Sequence, residues 1–404
     1  MNRREFLLTT GLAATALQSA HSANVSENQS DDPLGVRADF PITRDYAYLN
    51  TAYVSAVPIQ AAEAGIEFTR AKVYRPDSLP GMMAGVERAR EKFAAMLGVS
   101  SDEIGFLFAT SEGENIVTHA LEFKAGDNIV VDELHYTTTY VLYRQLEQTA
   151  GVELRIVPTR GGAALLEDFE RLTDDRTRLI SISWVSHDNG YRHDVKALAE
   201  IAHAHGAYIY VDAIQAVGMF PMDLREQGID FLASGSYKWL HASYNAAGFY
   251  VRNELLDLIP PDRAGYLHVR KLPGQHFRYE LDRTARKYEF ASPAFTGIYQ
   301  LERAIDYLTG VGLDRIESHV VTLANYLNRE LRNLDYEVLT PEGNASGIVT
   351  FAYRGESDEL QEKLDAVKVI VTNRGEERHV RASVGLYNNR SEVEQLLDVL
   401  RDFS

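Results

Sequence analysis

The sequence predicts an α/β protein, with a large domain on a mostly parallel seven-stranded sheet and a smaller α+β domain at the C-terminal end. Two patterns and one size argument predict it. Between Asp102 and Val251 short apolar runs alternate with amphipathic stretches, and strands alternating with helices argue a layered domain around parallel strands. After Ser292-Pro293 the pattern changes to long helices followed by short strands. The chain has 404 residues, 45% of them hydrophobic, enough to bury a sizeable core and to form two domains.

The elements follow in order. The first stretch carries Arg3-Arg4-Glu5-Phe6-Leu7, a mildly apolar run to Leu17, and small residues from Ala20 to Ala23. That is the layout of a signal peptide, with an apolar part shorter than the roughly 20 residues a membrane span requires. Arg-Arg-x-Phe-Leu resembles the twin-arginine signal, a receptor-read address and not an anchor. Residues 1–23 are therefore expected to be a signal for export to the periplasm, with no membrane anchor after its removal. Residues 24–60 are expected to form a linker and an N-terminal segment. The large domain is expected over 61–291, with strands at 104–108, 128–131, 154–157, 179–183, 208–211, 231–233 and 248–251. A helix over 195–205 has Asp194 as its N-cap and Gly206 as its stop. The small domain is expected over 292–404, with helices at 296–309 and 314–333. Strands follow at 336–339, 347–352, 369–372 and 380–383, then a last helix from Ser391.

Charge and composition bound the function. A net charge of −17 argues against nucleic acid or anionic membrane as a partner. The sequence has no cysteine, which removes thiolate metal ligands, disulfides and a cysteine nucleophile, and suits an oxidising compartment. His203 and His205 lie two apart on a helix and face different ways, so no metal site is expected there.

The chemistry is carried by two residues and their spacing. The apolar run from Ala207 to Val211 ends at Asp212, with Gln215 three residues on. Later Phe231-Leu-Ala-Ser-Gly-Ser236-Tyr237 leads to Lys238, and Ala246-Ala-Gly-Phe-Tyr-Val251 follows. An Asp at a strand end is often only a helix cap. A strand-end carboxylate followed by a lysine after a small-residue turn, with strands on both sides, is what pyridoxal phosphate (PLP) chemistry requires. The amine condenses with the cofactor aldehyde, and the carboxylate keeps the ring nitrogen protonated as an electron sink. A buried lone lysine is costly unless paired or used. No G-x-G-x-x-G follows a strand, which excludes a nicotinamide-binding Rossmann enzyme.

Further segments frame this pair: Tyr48-Leu-Asn50-Thr-Ala52, Phe108-Ala-Thr110-Ser111-Glu112-Gly-Glu-Asn115, Glu133-Leu-His135, the block from His205 to Gly218, and Arg381-Ala-Ser-Val-Gly-Leu-Tyr-Asn388. On them the chain resembles the class V aminotransferase family, which includes cysteine desulfurases, kynureninases and isopenicillin N epimerases, from about Asp45 to Phe403. The resemblance implies the PLP-dependent transferase fold type I, PLP as cofactor, a small-molecule amino acid or peptide-borne substrate, and a homodimer. It implies catalytic roles for Lys238, Asp212 and His135, with His135 stacked on the cofactor ring and Gln215 reaching the ring oxygen. Thr110, Ser111 and Glu112 correspond to the phosphate turn at a helix start. Tyr237 is similar to the kynureninase arrangement, its hydroxyl on the phosphate or its ring in packing, and Ser236 is a second phosphate candidate. Ser292 matches a position that reaches the neighbouring subunit's phosphate. The resemblance implies that Arg381 holds the substrate α-carboxylate, since a guanidinium binds it bidentately, and Asn50 and Tyr53 are expected to line the same pocket. His187 stands where desulfurases carry Asn.

The reaction expected first is transamination at a Cα carbanion, with epimerisation or C–S β-elimination as alternatives and a non-catalytic PLP sensor more remote. Intact Lys238, Asp212 and Arg381 argue against the sensor. The stretch 372–379 is short and has no cysteine, so persulfide-relay cysteine desulfuration is expected to be excluded. The segment 262–289 is basic and aromatic, with Arg263, Tyr266, His268, Arg270, Lys271, Arg278, Arg283, Arg286 and Lys287. It reads as a solvated hairpin, or as a holder of an acidic or peptide-borne substrate. Replacing Arg3 and Arg4 together by lysine is expected to leave folded, cofactor-loaded protein in the cytoplasm. Fractionation checks this, and an unchanged periplasmic yield would mean another route.

Overall fold

The computed structural model describes residues 31–265, 269–271 and 278–403. The expected signal at 1–23 and the linker to residue 30 lie outside the described residues. The chain enters through strand β1 (Ala47–Tyr48) and helices α1 (Ile59–Tyr74) and α2 (Leu79–Met96). Then come β2 (Ile104–Leu107), α3 (Thr110–Ala120), β3 (Asn128–Asp132), α4 (Thr137–Ala150) and β4 (Glu153–Val157). A small ribbon, β5 (Thr159–Arg160) and β6 (Ala163–Ala164), precedes α5 (Leu166–Leu172) and β7 (Thr177–Ser183). The domain continues with α6 (Val195–Ala204), β8 (Tyr208–Asp212), β9 (Phe231–Gly235) and β10 (Ala247–Val251).

The large sheet has seven strands in the order β2-β10-β9-β8-β7-β3-β4. β10 is antiparallel to both of its neighbours, and the remaining pairs are parallel. The other strands therefore end on one edge, and the loops that leave that edge carry the candidate chemistry. The continuous apolar runs have a physical reason, since both faces of the sheet are covered. Val130, Ile180, Ile209 and Val211 pack with α2 and α6 on one face, while Ile129, Val131, Leu179 and Tyr210 pack beneath α3 and α4 on the other. Successive side chains of one strand alternate between the two cores, as pleating demands.

Hairpin strands β11 (Val269–Lys271) and β12 (Tyr279–Leu281) lead to α7 (Phe295–Val311) and α8 (Leu313–Asn333). The last part holds β13 (Glu337–Val338), β14 (Ile348–Ala352), α9 (Ser357–Ala366), β15 (Val369–Ile370), β16 (Thr372–Arg374), β17 (His379–Ser383) and α10 (Arg390–Arg401). Its antiparallel sheet runs β13-β14-β17-β16. Leu323, Leu327, Phe351, Val380, Leu396 and Leu397 form a separate core there. The small domain was expected to begin at residue 292. Instead α7 packs beside α1 and α2, and its Ile298, Leu301 and Ile305 belong to the large core. The N-terminal segment joins both units: β1 pairs in parallel with β15, and Ala47 and Leu49 sit in the small core, while Phe40 and Ala52 sit in the large one. Among the described residues no helix is long and apolar enough to cross a membrane.

One buried ion pair ties the helical layer to the sheet edge. Arg90 on α2 is fully buried and meets Glu289 through Nη1–Oε1 at 2.5 Å and Nη2–Oε2 at 3.2 Å. The guanidinium also donates to Ile104 O, and Glu289 accepts from Phe106 N. Breaking such a pair leaves an uncompensated buried charge, so Arg90→Met is expected to destabilise by roughly 3–5 kcal/mol. Urea denaturation checks this, and Arg90→Met with Glu289→Leu should recover part of the loss.

Candidate active site

The five loops after β2, β3, β7, β8 and β9 meet around a cavity of about 220 Å³. Its wall contains Thr110 and Ser111, Tyr136, Ser183 and His187, Asp212 and Gln215, then Tyr237 and Lys238. All of these but Tyr136 and Ser183 were expected from the sequence, and they are the expected residues brought together directly.

Lys238 reaches the cavity because the chain turns tightly after β9. Ser236 N donates to Ala246 O, and Ala242 N donates back to Ser236 O. Gly218 allows the next residue to settle: its φ is +97°, and a Cβ there would lie 2.3 Å from Trp239 O. Lys238 is 8% exposed, and desolvation holds its amine down to about 8, against the attraction of Asp212. The Asp212 carboxyl is pushed up by its own burial, with a hydrogen bond from Ile214 N and the Lys238 charge opposing. Both shifts have one origin, the burial of a charged group, which the attraction between the two only partly offsets. Gln215 is committed by its amide, Nε2 donating to Ala52 O at 3.0 Å and Oε1 accepting from Trp239 Nε1 at 2.8 Å. The second N–H of that amide is what remains for a ligand.

At one end the cavity is closed by the start of α3. The first amides of a helix have no intrahelical acceptor, so Thr110 and Ser111 offer donors and a positive dipole end to an anion. Thr110 Oγ1 accepts from Gly235 N at 2.9 Å, locking the helix start to the end of β9. Tyr237 stacks on Tyr244, with centroids 4.2 Å apart and planes at 18°.

Arg381 lies on β17 beside this cavity. Its Nη1 donates to His187 O at 2.6 Å and its Nη2 to Thr372 Oγ1 at 3.3 Å, while Nε has no partner. It is 4% exposed, and burial together with neighbouring Arg374 lowers its pKa to about 10. A guanidinium this buried, with no carboxylate at salt-bridge distance among the described residues, fits an anionic ligand. The Asn50 carbonyl is taken by Thr372 Oγ1 at 2.7 Å, whereas Tyr53 is 61% exposed at the rim. His187 is held neutral, its pKa lowered to about 3 by desolvation and by the nearby cations. Its ring packs edge-on to Tyr136 with centroids 5.0 Å apart.

Four expected site residues are placed elsewhere. His135 is 2% exposed and is held behind the wall, between Ser181, Ser183 and the Tyr136 amide, so Tyr136 and not His135 presents a ring to the cavity. Glu112 accepts from Phe108 N and Ala109 N and pairs with Arg263 at 2.9 Å, capping its helix instead of facing an anion. The Ser236 hydroxyl donates to Ser243 O at 2.5 Å and closes the lysine turn. Ser292 is exposed and outside this cavity. Tyr136, Ser183, Tyr244 and Asn245 line the wall and were missed. Only Asn245 carried a local signal, as an Asn suited to its φ of +63°.

In the basic segment, Arg263 pairs with Asp262 and Glu112, Arg286 pairs with Glu87, and Lys287 donates to Leu256 O. These contacts serve the scaffold. Tyr266 and His268 lie outside the described residues.

The Lys238 amine gives a pH test. Its pKa is about 8 in the fold against 10.5 ordinarily. Between those values the unfolded chain binds the proton that the folded chain has released, so stability rises with pH through this window. Below it both states are protonated and the fold carries the whole cost. In cofactor-free protein, Lys238→Met is therefore expected to stabilise by roughly 1–3 kcal/mol at neutral pH. The gain should fade between pH 8 and 10.5, as measured by urea denaturation. A pH-independent difference would contradict the assignment.

The cavity fits PLP through an amine for the aldehyde, a carboxylate for the ring nitrogen and a helix start for the phosphate. Residues 48–396 match the family model described as Aminotransferase class-V. A probable cysteine desulfurase of Methanothermobacter thermautotrophicus is 29% identical, covering 91% of this chain and 97% of that one. The solved cysteine desulfurase of Thermococcus onnurineus superposes with a TM-score of 0.82 at 26% identity, covering 91% and 96%. A C-DES variant with PLP matches in fold, with a TM-score of 0.84 at 19% identity over 91% of this chain and 99% of that one. These findings overturn the expectation that the missing cysteine sets the chain apart from cysteine desulfurases, and with it the expected transamination. The composition argument weighed one missing residue type against a likeness that spans nearly the whole chain, and the relatives over that length are named cysteine desulfurases. With a lysine, a carboxylate and a buried guanidinium gathered at the sheet edge, the chain belongs to the class V aminotransferase family and is a PLP-dependent enzyme.

Proposed function

We propose that this enzyme is of desulfurase type: it cleaves the C–S bond of cysteine or a close analogue and delivers the sulfur to a thiol outside these 404 residues. The observation that carries the reading is Arg381, buried beside Lys238 without a carboxylate partner, in a chain whose relatives over nearly its whole length are named cysteine desulfurases.

When bound, PLP supplies an electron sink that makes the substrate Cα acidic. The residues of the chain do the rest. Arg381 holds the α-carboxylate by charge-assisted hydrogen bonds and fixes which Cα bond stands over the site. Lys238, with its lowered pKa, has a neutral fraction near pH 7 and can take a proton at Cα and return it. Asp212 would hold the ring nitrogen and favour its protonated form. His187 is neutral, so it can accept or donate without adding to the positive field. Atoms balance without an external oxidant: the C–S bond breaks, an S–S bond forms on the acceptor, and the acceptor's thiol proton goes to Cβ. The products are alanine and a persulfide.

The same reading takes the protein as a periplasmic homodimer. Support comes from the Arg3-Arg4 motif and from Ser292, whose exposure outside its own cavity suits a role at a neighbouring subunit's phosphate.

The test is turnover of cysteine with dithiothreitol as acceptor. Alanine and sulfide should appear in equal amounts, and Lys238→Ala should abolish both. Arg381→Ala should raise KM roughly 10- to 100-fold, the loss of a charge-assisted pair, with kcat less affected. Formation of pyruvate and ammonia without alanine, or no reaction with cysteine, would overturn the proposal.

A further inference from the structure

Beneath the cofactor cavity lies a buried carboxylate that the chemistry above does not use. Glu114, on the second turn of α3, is 6% exposed. Its Oε1 accepts from Tyr143 Oη at 2.6 Å and from Ser181 Oγ at 2.9 Å, and its Oε2 accepts from Thr139 Oγ1 at 3.0 Å. The hydroxyls come from α4 and β7, on two sides of the carboxylate.

This arrangement fixes the protons of its neighbours. The Tyr136 backbone N–H, a donor without alternative, points at His135 Nδ1 at 2.7 Å. Nδ1 is therefore an acceptor, and the ring proton sits on Nε2. Nε2 lies 3.0 Å from Ser181 Oγ, which has given its own hydrogen to Glu114 and is left as an acceptor. The chain of donors runs from Tyr136 N through His135 and Ser181 to Glu114. Burial holds His135 neutral, its pKa lowered to about 4, consistent with a single tautomer. Burial also raises the Glu114 carboxyl to about 7, with the Asp212 charge adding to the rise and the three hydroxyls opposing it. The titratable groups that face Glu114 are Tyr143 from α4, His135 after β3, and Tyr210 and Asp212 on β8.

We propose that Glu114 is a positioning residue for the cofactor site: as the terminal acceptor it sets the Ser181 hydroxyl and the His135 tautomer, and so holds the Tyr136 backbone that places an aromatic ring in the cavity wall. In its ionised form, above about pH 7, the carboxylate accepts from all three hydroxyls and donates to none. Its removal leaves the Ser181 hydroxyl without that acceptor and free to turn its hydrogen toward His135 Nε2, which opposes the tautomer that the Tyr136 amide requires.

The test uses the full chain and reads the cofactor, so it is independent of whether cysteine is the substrate. Glu114→Leu and Ser181→Ala should each raise the PLP dissociation constant roughly tenfold, about 1.4 kcal/mol, and change the visible circular dichroism of the bound cofactor. Glu114→Gln keeps an acceptor oxygen toward Ser181 and should retain both signals. Because both lesions cut one relay, the double variant should be no worse than the weaker-binding single variant. If Glu114→Leu does not fold, Ser181→Ala with Glu114→Gln carries the test. Wild-type affinity and dichroism in Ser181→Ala, a Gln variant as impaired as the Leu variant, or additive losses would overturn the proposal.

Discussion

The site depends on a lysine amine and a carboxylate held together away from water. Burying either charge alone would cost several kcal/mol, and their mutual attraction recovers only part of that. The remainder appears as a lysine of lowered and an aspartate of raised pKa. The surrounding architecture keeps the pair in place. β8 brings Asp212 to the sheet edge, the turn after β9 brings Lys238, and Trp239 O comes so near Gly218 that only a residue without a side chain fits there. An amine that loses its proton this readily is suited to attack an aldehyde and to carry protons at neutral pH.

The large sheet was legible because its strands are buried on both faces and so appear as unbroken apolar runs. Lys238, Asp212 and Arg381 were legible because each combines an expensive charge with an apolar flank. The misplaced residues share a different property. Glu112, Ser236 and His135 are polar groups beside the site whose hydrogen bonds run to the backbone or to hydroxyls behind the wall. Sequence position locates such a residue to within one turn, but only three-dimensional packing decides which way its polar atoms face. Tyr136 shows this directly, since it neighbours the residue that was expected in its place. The domain boundary was misjudged for a related reason. α7 has the amphipathic period of any packed helix, and nothing local says that its partners are α1 and α2.

Absence of cysteine was the most decisive compositional fact, and it misled. A missing residue type constrains the chain that lacks it and leaves the identity of the other reactant open. C–S cleavage asks the protein for an anchor, a proton carrier and a charge at the ring nitrogen, all of which are present among Arg381, Lys238 and Asp212. A neutral His187 beside a cationic Arg381 adds polarity to the pocket without a second competing charge.

The N-terminal segment has a bearing on how the pocket comes into being. Asn50 meets Thr372 across 322 residues of sequence, β1 waits for β15, and Ser55 N holds the carbonyl of Tyr237 immediately before the lysine. Contacts of such long range close late, after the entropy of a very large loop has been overcome. During synthesis the first-made strand has no partner until nearly the whole chain has left the ribosome. The large sheet can form before that, but the segment that carries Ser55 to the lysine turn is anchored at β1 only when the last strands have been made. Arg381, which donates to His187 O beside the cavity, rides on one of those last strands, so the large domain's pocket is flanked in part by residues that the ribosome delivers at the end.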